Sequence, residues 1–153
     1  MSKVDNLLTP ARVMCRVDAA SKKRVFELAA RQIAASDANL IDTEVYAQLL
    51  AREKLGSTAL GTGVAVPHCR VEGCEKPIGC LVTLSEAIVF DAPDDQPVDL
   101  LFVLLVPAEA AQEHLDILAE LATRFSDQAY CAQLRAARSE QELLASAMTA
   151  KAA

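Results

Sequence analysis

The sequence lacks the long hydrophobic runs and the apolar leader that mark membrane and exported proteins. Its longest aliphatic run, from Leu100 to Val106, is seven residues long, whereas a membrane-spanning helix needs about 20. The first residues contain no apolar stretch of the kind found in signal peptides. We therefore expect a cytoplasmic protein that is not embedded in a membrane.

An excess of positive charge is also lacking. The chain has 21 acidic and 15 basic residues, which gives a formal net charge of −6. Proteins that bind nucleic acids normally carry a basic surface, because contacts with the phosphate backbone dominate their affinity. The tight basic cluster at 22–24 is predicted to be a solvated helix face. We therefore expect no nucleic-acid partner.

The five cysteines do not form a recognisable framework. Their number is odd and no C-x-x-C motif occurs, which argues against a set of disulfides or a zinc ribbon. A zinc site built from His68 and the cysteines at 69, 74 and 80 would match no common zinc spacing. Reduced thiols in a reducing compartment fit this pattern best. We expect neither a metal nor a cofactor.

What is present indicates a layered α/β protein. The chain has 153 residues and is 52% hydrophobic without any tryptophan, so we expect one domain over residues 1–153. Residues 98–106 are nearly all aliphatic, which is typical of a strand covered on both faces. Periodicity and capping residues predict the remaining elements. The predicted strands are 13–17, 64–66, 78–84, 88–90 and 98–106. The predicted helices are 18–36, 42–54, 108–125 and 127–136, with a final one that opens at 139–142.

The sequence contains two histidines, His68 and His114, and His68 is predicted to be the more exposed of the two. It follows a predicted short strand and a proline, so we expect it at a strand end, where loops present functional groups. The preceding segment supplies groups that could bind an anion. These are the guanidinium of Arg52, the hydroxyls of Ser57 and Thr58, and backbone N–H groups freed by Gly61 and Gly63.

A nucleophilic nitrogen beside an anion cradle suits phosphoryl transfer. With an ordinary pKa near 6.5, imidazole is largely neutral at pH 7 and keeps a free lone pair. Phosphoryl transfer needs positioning and charge stabilisation more than covalent assistance. The alternative from the residues alone is that His68 is an ordinary loop histidine and that the glycines only make turns.

His114 lies in the predicted helix 108–125 and shares its inward face with Ile117, Leu118 and Leu121. It is therefore either a hydrogen-bonded core histidine or a second site residue. If strands 64–66 and 98–106 are parallel neighbours, His68 and His114 meet at one sheet edge. Glu53 is expected to point away from Arg52 and to lie on the surface.

Two stretches resemble a known family. Residues 52–68 (REKLGSTALGTGVAVPH) resemble the signature of enzyme IIA proteins of the fructose/mannitol class in the bacterial phosphotransferase system. Residues 88–107 (IVFDAPDDQPVDLLFVLLVP), followed by His114, resemble the nitrogen-regulatory branch of that class. The resemblance extends over essentially the whole chain.

The resemblance implies a fold, a reaction and a set of site residues. It implies one mixed parallel and antiparallel β-sheet with helices on both faces. It also implies that His68 is phosphorylated by a histidine-containing phosphocarrier protein of the nitrogen type, fed from phosphoenolpyruvate through enzyme I, with Nε2 as the modified atom. His114 matches the second active-site histidine, and Arg52, Ser57 and Thr58 match the surrounding phosphate-binding groups. The regulated partners implied for this branch include a sensor kinase and a potassium transporter.

The sequence departs from the family pattern at two positions. Ala59 and Cys69 stand where glycine is usual, and glycine can adopt dihedral angles that other residues avoid. One hypothesis is that oxidation or alkylation of Cys69 blocks transfer at His68. Two alternative functions remain open. One is a sugar-specific enzyme IIA that passes phosphate to a fructose or mannitol permease, and the other is a regulatory binding module that is never phosphorylated.

Overall fold

The computed structural model describes residues 4–109 and 112–149, which form a sheet of six strands and five α-helices. Two short 3₁₀ turns, Asp5–Leu7 and Pro10–Arg12, precede the first strand. The elements are β1 (Val13–Val17), α1 (Lys22–Ser36), α2 (Asp42–Lys54), β2 (Ala59–Gly61), β3 (Val64–Ala65), β4 (His68–Val71), β5 (Ile78–Ile88), β6 (Val98–Pro107), α3 (Gln112–Phe125), α4 (Gln128–Ala136) and α5 (Glu140–Thr149). Within the described ranges, none of the helices combines the length and the apolar character that crossing a bilayer would require.

The sheet contains parallel and antiparallel strand pairs. Its order is β1-β5-β6-β3-β2, and β4 also pairs with β6, further along that strand than β3. The pairs β1/β5, β3/β6 and β4/β6 are parallel, whereas β5/β6 and β2/β3 are antiparallel. The mixed sheet implied by the family resemblance is therefore confirmed. The condition set for the meeting of the two histidines also holds, because β3 pairs in parallel with β6.

Strand β6 is the centre of the molecule because its side chains are apolar on both faces. Every residue from Leu100 to Val106 is buried. Leu101, Val103 and Leu105 pack in the core beneath α1 and α2, whereas the alternate residues pack beneath α3, α4 and α5. Each fully buried side chain of this size contributes roughly 1.5–3 kcal/mol through the hydrophobic effect. The expectation of helices on both faces is confirmed.

Capping side chains determine where several helices begin. The Ser21 side chain accepts a hydrogen bond from the Arg24 amide, so α1 begins at Lys22 and the predicted start at Asp18 is wrong. Asp127 caps α4 as predicted, accepting from the amides of residues 129 and 130. Ser139 accepts from the Glu142 amide at the start of α5. For α3, the predicted start at Ala108 is also wrong. Residues 108–109 form a turn, and residues 110–111 lie outside the described residues.

The strand predictions are wrong where pairing with a neighbouring strand, and not the apolar pattern, determines the strand boundaries. The separate strand predicted at 88–90 is wrong, because β5 continues to Ile88 through a register shift that leaves Ser85 and Glu86 exposed. The sequence analysis also missed β2 and β4. Strand β4 has no run of apolar residues, but its backbone pairs with β6 from His68 to Val71. This pairing fixes the histidine at the beginning of a strand.

Candidate active site

His68 is the first residue of β4 and lies opposite Leu104 of β6. The Pro67 carbonyl accepts a hydrogen bond from the Leu104 amide at 2.8 Å, so the backbone is anchored immediately before the histidine. The side chain is half-buried, with part of the ring open to solvent. The position is therefore rigid and accessible, as a transfer site must be.

A backbone hydrogen bond assigns the roles of the two ring nitrogens of His68. Its Nδ1 atom lies 2.8 Å from the carbonyl oxygen of Val66. A carbonyl oxygen can only accept, so Nδ1 carries the hydrogen and the neutral ring keeps its lone pair on Nε2. Nε2 is thus the ring nitrogen that could act as a nucleophile.

The surroundings of His68 favour its neutral form. Burial lowers the pKa of the imidazole, and the charge of Arg52 lowers it further. The Val66 carbonyl and Glu53 act in the opposite direction, and the net result is a pKa below the ordinary value of 6.5. The Nε2 lone pair is therefore available at neutral pH.

His114 lies beside His68, so the expectation that the two meet at one sheet edge is confirmed. Their ring centroids are 5.5 Å apart and the rings are nearly perpendicular, at 89°. His114 is only 8% exposed, and within the described part of the chain its Nδ1 atom has no hydrogen-bond partner. Burial lowers its pKa, with smaller contributions from His68 and Arg70. A neutral imidazole whose Nδ1 has no partner among the described residues is thus held next to the proposed nucleophile.

The two histidines line an open crevice between α2, β4 and α3. Its volume is about 360 Å³, and its lining includes Gln48, Arg52, Leu55, His68, Arg70 and His114. Among the described residues, no carboxylate lines it. One guanidinium is fixed by donation from Arg52 Nη1 to the Gly56 carbonyl at 2.9 Å, and the other by donation from Arg70 Nη1 to the Ala108 carbonyl at 3.1 Å. The crevice suits a dianionic phosphoryl group.

Arg70 was missed by the sequence analysis, although a signal for it existed. Side chains two residues apart on a strand lie on the same face, so a strand beginning at His68 carries Arg70 on the same side as the histidine. The predicted strand ends at residue 66, before His68, so the alternation could not be applied to Arg70.

Ser57 and Thr58 adjoin the crevice without lining it. The Ser57 hydroxyl donates to the Phe90 carbonyl at 3.0 Å, and the Thr58 hydroxyl donates to the Glu53 carboxylate at 2.7 Å. The Thr58 carbonyl accepts from the Val66 amide at 3.0 Å. In this structure both hydroxyl hydrogens are therefore engaged in holding the loop that precedes the histidine.

The prediction that Gly61 and Gly63 cradle an anion beside His68 is wrong. The Thr62 amide between them donates to Asp94 at 2.9 Å, and the Gly63 carbonyl accepts from the Asp99 amide at 3.1 Å. Both glycines have positive φ angles, 98° and 83°. They make the β2–β3 turn at the opposite end of the sheet.

The prediction of a surface position for Glu53 is also wrong. Glu53 is only 8% exposed, and its carboxylate accepts from the amide of Thr58 at 3.2 Å as well as from its hydroxyl. Lys22 Nζ lies 3.0 Å from the same carboxylate and 4.4 Å from the centre of the Phe90 ring. The buried carboxylate is therefore both hydrogen-bonded and paired with a positive charge, which offsets the cost of burying it.

The departures at Ala59 and Cys69 are accommodated without backbone strain. Neither residue has a positive φ angle, so neither position demands glycine. Cys69 is 5% exposed and packs in the core beneath α1 and α2, and burial raises its thiol pKa to about 12. Cys69 also contributes to the lining of the crevice that contains His68. Its thiol is nevertheless buried and protonated, which argues against the hypothesis that its oxidation or alkylation blocks transfer.

The described residues do not include three or more histidine, cysteine, aspartate or glutamate side chains grouped to hold a metal ion. Cys80, considered above with His68, lies wholly inside the sheet.

Comparison with known proteins gives consistent matches over nearly the whole chain. The family model described as phosphoenolpyruvate-dependent sugar phosphotransferase system, EIIA 2, matches residues 6–147. A nitrogen regulatory protein from Pseudomonas aeruginosa is 48% identical over 126 residues, which cover 80% of this chain and 79% of the relative.

Two solved structures share the fold. The nitrogen regulatory protein IIA-Ntr from Neisseria meningitidis has a TM-score of 0.87 and 39% identity, covering 95% of this chain and 99% of that one. The complex of enzyme IIAMtl with phosphorylated enzyme IIBMtl from Escherichia coli matches with a TM-score of 0.75 at 23% identity, covering 92% of this chain and 96% of that one. The chain therefore belongs to the EIIA type 2 family of the phosphotransferase system, among its nitrogen regulatory members.

Proposed function

We propose that the protein is a phosphohistidine carrier that accepts a phosphoryl group on Nε2 of His68. The observation that carries this proposal is the hydrogen bond from His68 Nδ1 to the Val66 carbonyl. It leaves Nε2 unprotonated, and the crevice around the ring contains two arginines. Membership of a phosphoryl-transfer family supports the same reaction.

The transfer step needs no proton to leave His68. The Nε2 lone pair forms a bond to the phosphorus of a phosphohistidine on the donor protein. The donor's P–N bond breaks, and its electron pair returns to the donor's ring nitrogen. The His68 ring gains positive charge, which the Val66 carbonyl stabilises because the Nδ1–H bond to it becomes stronger.

The surrounding residues have distinct roles in this proposal. Arg52 and Arg70 stabilise the negative charge on the phosphoryl oxygens. His114, held at a ring distance of 5.5 Å, donates a hydrogen bond from one ring nitrogen to a phosphoryl oxygen. Ser57 and Thr58 contribute through the loop that they anchor.

The names of the relatives suggest the partners. Their designation as nitrogen regulatory proteins supports a nitrogen-type phosphocarrier protein as the donor. In this proposal the phosphorylation state of His68 then regulates nitrogen- or potassium-related partners, such as a sensor kinase or a potassium transporter. The mannitol relative is described in complex with a phosphorylated enzyme IIB, which keeps a sugar-specific permease domain as the alternative acceptor.

Reconstitution tests the proposed carrier function directly. The full chain is mixed with phosphoenolpyruvate, enzyme I and either a nitrogen-type or a sugar-type phosphocarrier, and its intact mass is measured. We expect one acid-labile phosphate on the wild type. Since the sequence has only two histidines, His68→Gln and His114→Gln form a matched pair.

The two variants should behave differently. His68→Gln should acquire no phosphate, whereas His114→Gln should acquire it more slowly. Phosphate on the His68→Gln protein, or none on the wild type with either carrier, would refute the proposal. Faster labelling by the sugar-type carrier, followed by transfer to a permease domain, would favour the sugar-specific alternative.

A further inference from the structure

A second polar crevice lies at the opposite end of the sheet from His68. It has a volume of about 330 Å³ and is lined by Arg16 of β1, Thr83 and Ser85 of β5, Asp99 of β6 and Arg135 of α4. His68 lies opposite Leu104, five residues along β6 from Asp99. At about 3.3 Å per residue, the two crevices are about 16 Å apart. The second crevice is therefore a separate site.

The topology of the sheet creates this crevice. Strands β1 and β5 are parallel neighbours, and their carboxyl ends meet the beginning of β6, which runs antiparallel to β5. In open α/β sheets, ligands commonly bind in the crevice outside the carboxyl ends of parallel strands. Helix α4 forms the remaining wall through Arg135.

Arg16 presents unused donors to this crevice. The register between β1 and β5 shifts after Met14, and Arg16 has a φ angle of 52°. Its amide donates to the Thr83 hydroxyl oxygen at 2.8 Å. Its Nη2 atom donates to the carbonyls of Arg135 and Ala136 at 3.3 and 3.4 Å. Within the described ranges, its Nε and Nη1 atoms have no acceptor and no carboxylate pairs with it.

Arg135 and Thr83 add further donors. Nε of Arg135 donates to Asp99 at 2.9 Å and Nη2 donates to the Thr62 carbonyl at 3.0 Å, while Nη1 has no acceptor among the described residues. The Thr83 hydroxyl, only 3% exposed, accepts from Arg16 and keeps its own hydrogen to donate. Two guanidiniums and one carboxylate give the crevice a local charge of +1 in a chain whose net charge is −6.

We infer that the crevice between Arg16 and Arg135 binds a small oxyanion, namely a phosphate or carboxylate group. The planar fork of Arg16 can donate to two oxygens of such a group. Nη1 of Arg135 and the Thr83 hydroxyl complete the donor set. A halide is a single atom and lacks the two separated oxygens that match the parallel N–H groups of a guanidinium. The inference is independent of phosphorylation at His68.

Amide NMR titration of the full chain tests this inference. Inorganic phosphate and succinate are added separately, with sodium chloride at matched ionic strength as the control. We expect saturable shifts at the amides of Arg16, Thr83 and Ser85 with phosphate, with succinate, or with both. The responding anion identifies the preferred group. Shifts equal to those with chloride, or shifts that do not saturate, would overturn the inference.

Variants assign the effect to the crevice. Arg16→Gln should weaken binding about tenfold or more, because charge-assisted bonds to the anion are lost. Arg16→Lys keeps the charge without the fork and should have an intermediate effect. Arg31→Gln removes an exposed arginine on α1 and should bind as the wild type does. Unchanged affinity in Arg16→Gln, with an amide spectrum as well dispersed as that of the wild type as evidence of folding, would also overturn the inference.

Discussion

The carboxylate of Glu53 accepts hydrogen bonds from both the amide and the hydroxyl of Thr58. The carbonyl of Thr58 in turn accepts from the Val66 amide, and the Val66 carbonyl accepts from Nδ1 of His68. A continuous chain of hydrogen bonds thus runs from the end of α2 to the ring of His68. Lys22 balances the charge at its start.

Replacing Glu53 should therefore affect both stability and transfer. Glu53→Gln should lower the free energy of unfolding by about 2 kcal/mol, because hydrogen bonds to a charged acceptor are lost and Lys22 loses the nearer of its two carboxylate partners, Glu53 and Asp91. It should also slow phosphorylation, since Val66 is held less firmly. Denaturant unfolding and the initial rate of mass increase measure the two effects. Glu44→Gln, an exposed substitution on the same helix, is the control, and equal results for the two variants would contradict the prediction.

Stability should decrease in mild acid because of the two histidines. The pKa values of His68 and His114 are both below 6.5 in the folded protein. The unfolded chain therefore binds more protons once the pH falls below about 6.5. The free energy of unfolding should fall as the pH decreases from that value through the folded pKa values. Urea unfolding at several pH values measures this slope. The double variant His68→Gln/His114→Gln should have a shallower slope, and an identical slope would show that other groups are responsible.

Alkylation of the folded protein with iodoacetamide should leave Cys69 unmodified. Its thiol is buried and its pKa is about 12, so almost no thiolate forms at neutral pH. Cys15, by contrast, is half-buried and should react first with iodoacetamide. Peptide mass mapping after a short exposure measures both sites, and the phosphorylation rate of the treated protein should equal that of the untreated one. Labelling of Cys69 at the rate of Cys15 would contradict this prediction.

Arg52 should contribute to phosphoryl transfer through its positive charge and through the planar guanidinium, which can donate two parallel hydrogen bonds. Arg52→Gln should slow phosphorylation of His68 about tenfold or more, because one of the two guanidiniums in the crevice is lost. Arg52→Lys should recover part of the rate, since it restores the charge but not the bidentate geometry. Initial rates from intact-mass time courses provide the comparison. Equal rates for Arg52→Gln and the wild type would remove Arg52 from the mechanism.

The sequence predicted the parts of the site that depend on strand ends and on helix position. His68 could be placed because a strand and a proline precede it, and His114 because it lies early in the helix predicted after strand 98–106. Glu53 and Arg70 could not be placed, because their surroundings depend on how the loop at 56–58 folds back and where β4 begins. Gly61 and Gly63 look like an anion cradle in sequence. The register of β3 against β6 carries them to the other end of the sheet.

In the proposed reaction, the phosphoryl group bonds to Nε2 of His68 while Nδ1 keeps its hydrogen. The most direct test is NMR of the phosphorylated protein with ¹⁵N-labelled histidine, in which the nitrogen that couples to phosphorus is identified. The structure predicts that phosphorus couples to Nε2 of His68 and that a protonated Nδ1 persists in the unphosphorylated and phosphorylated forms. Coupling to Nδ1, or to either nitrogen of His114, would contradict it.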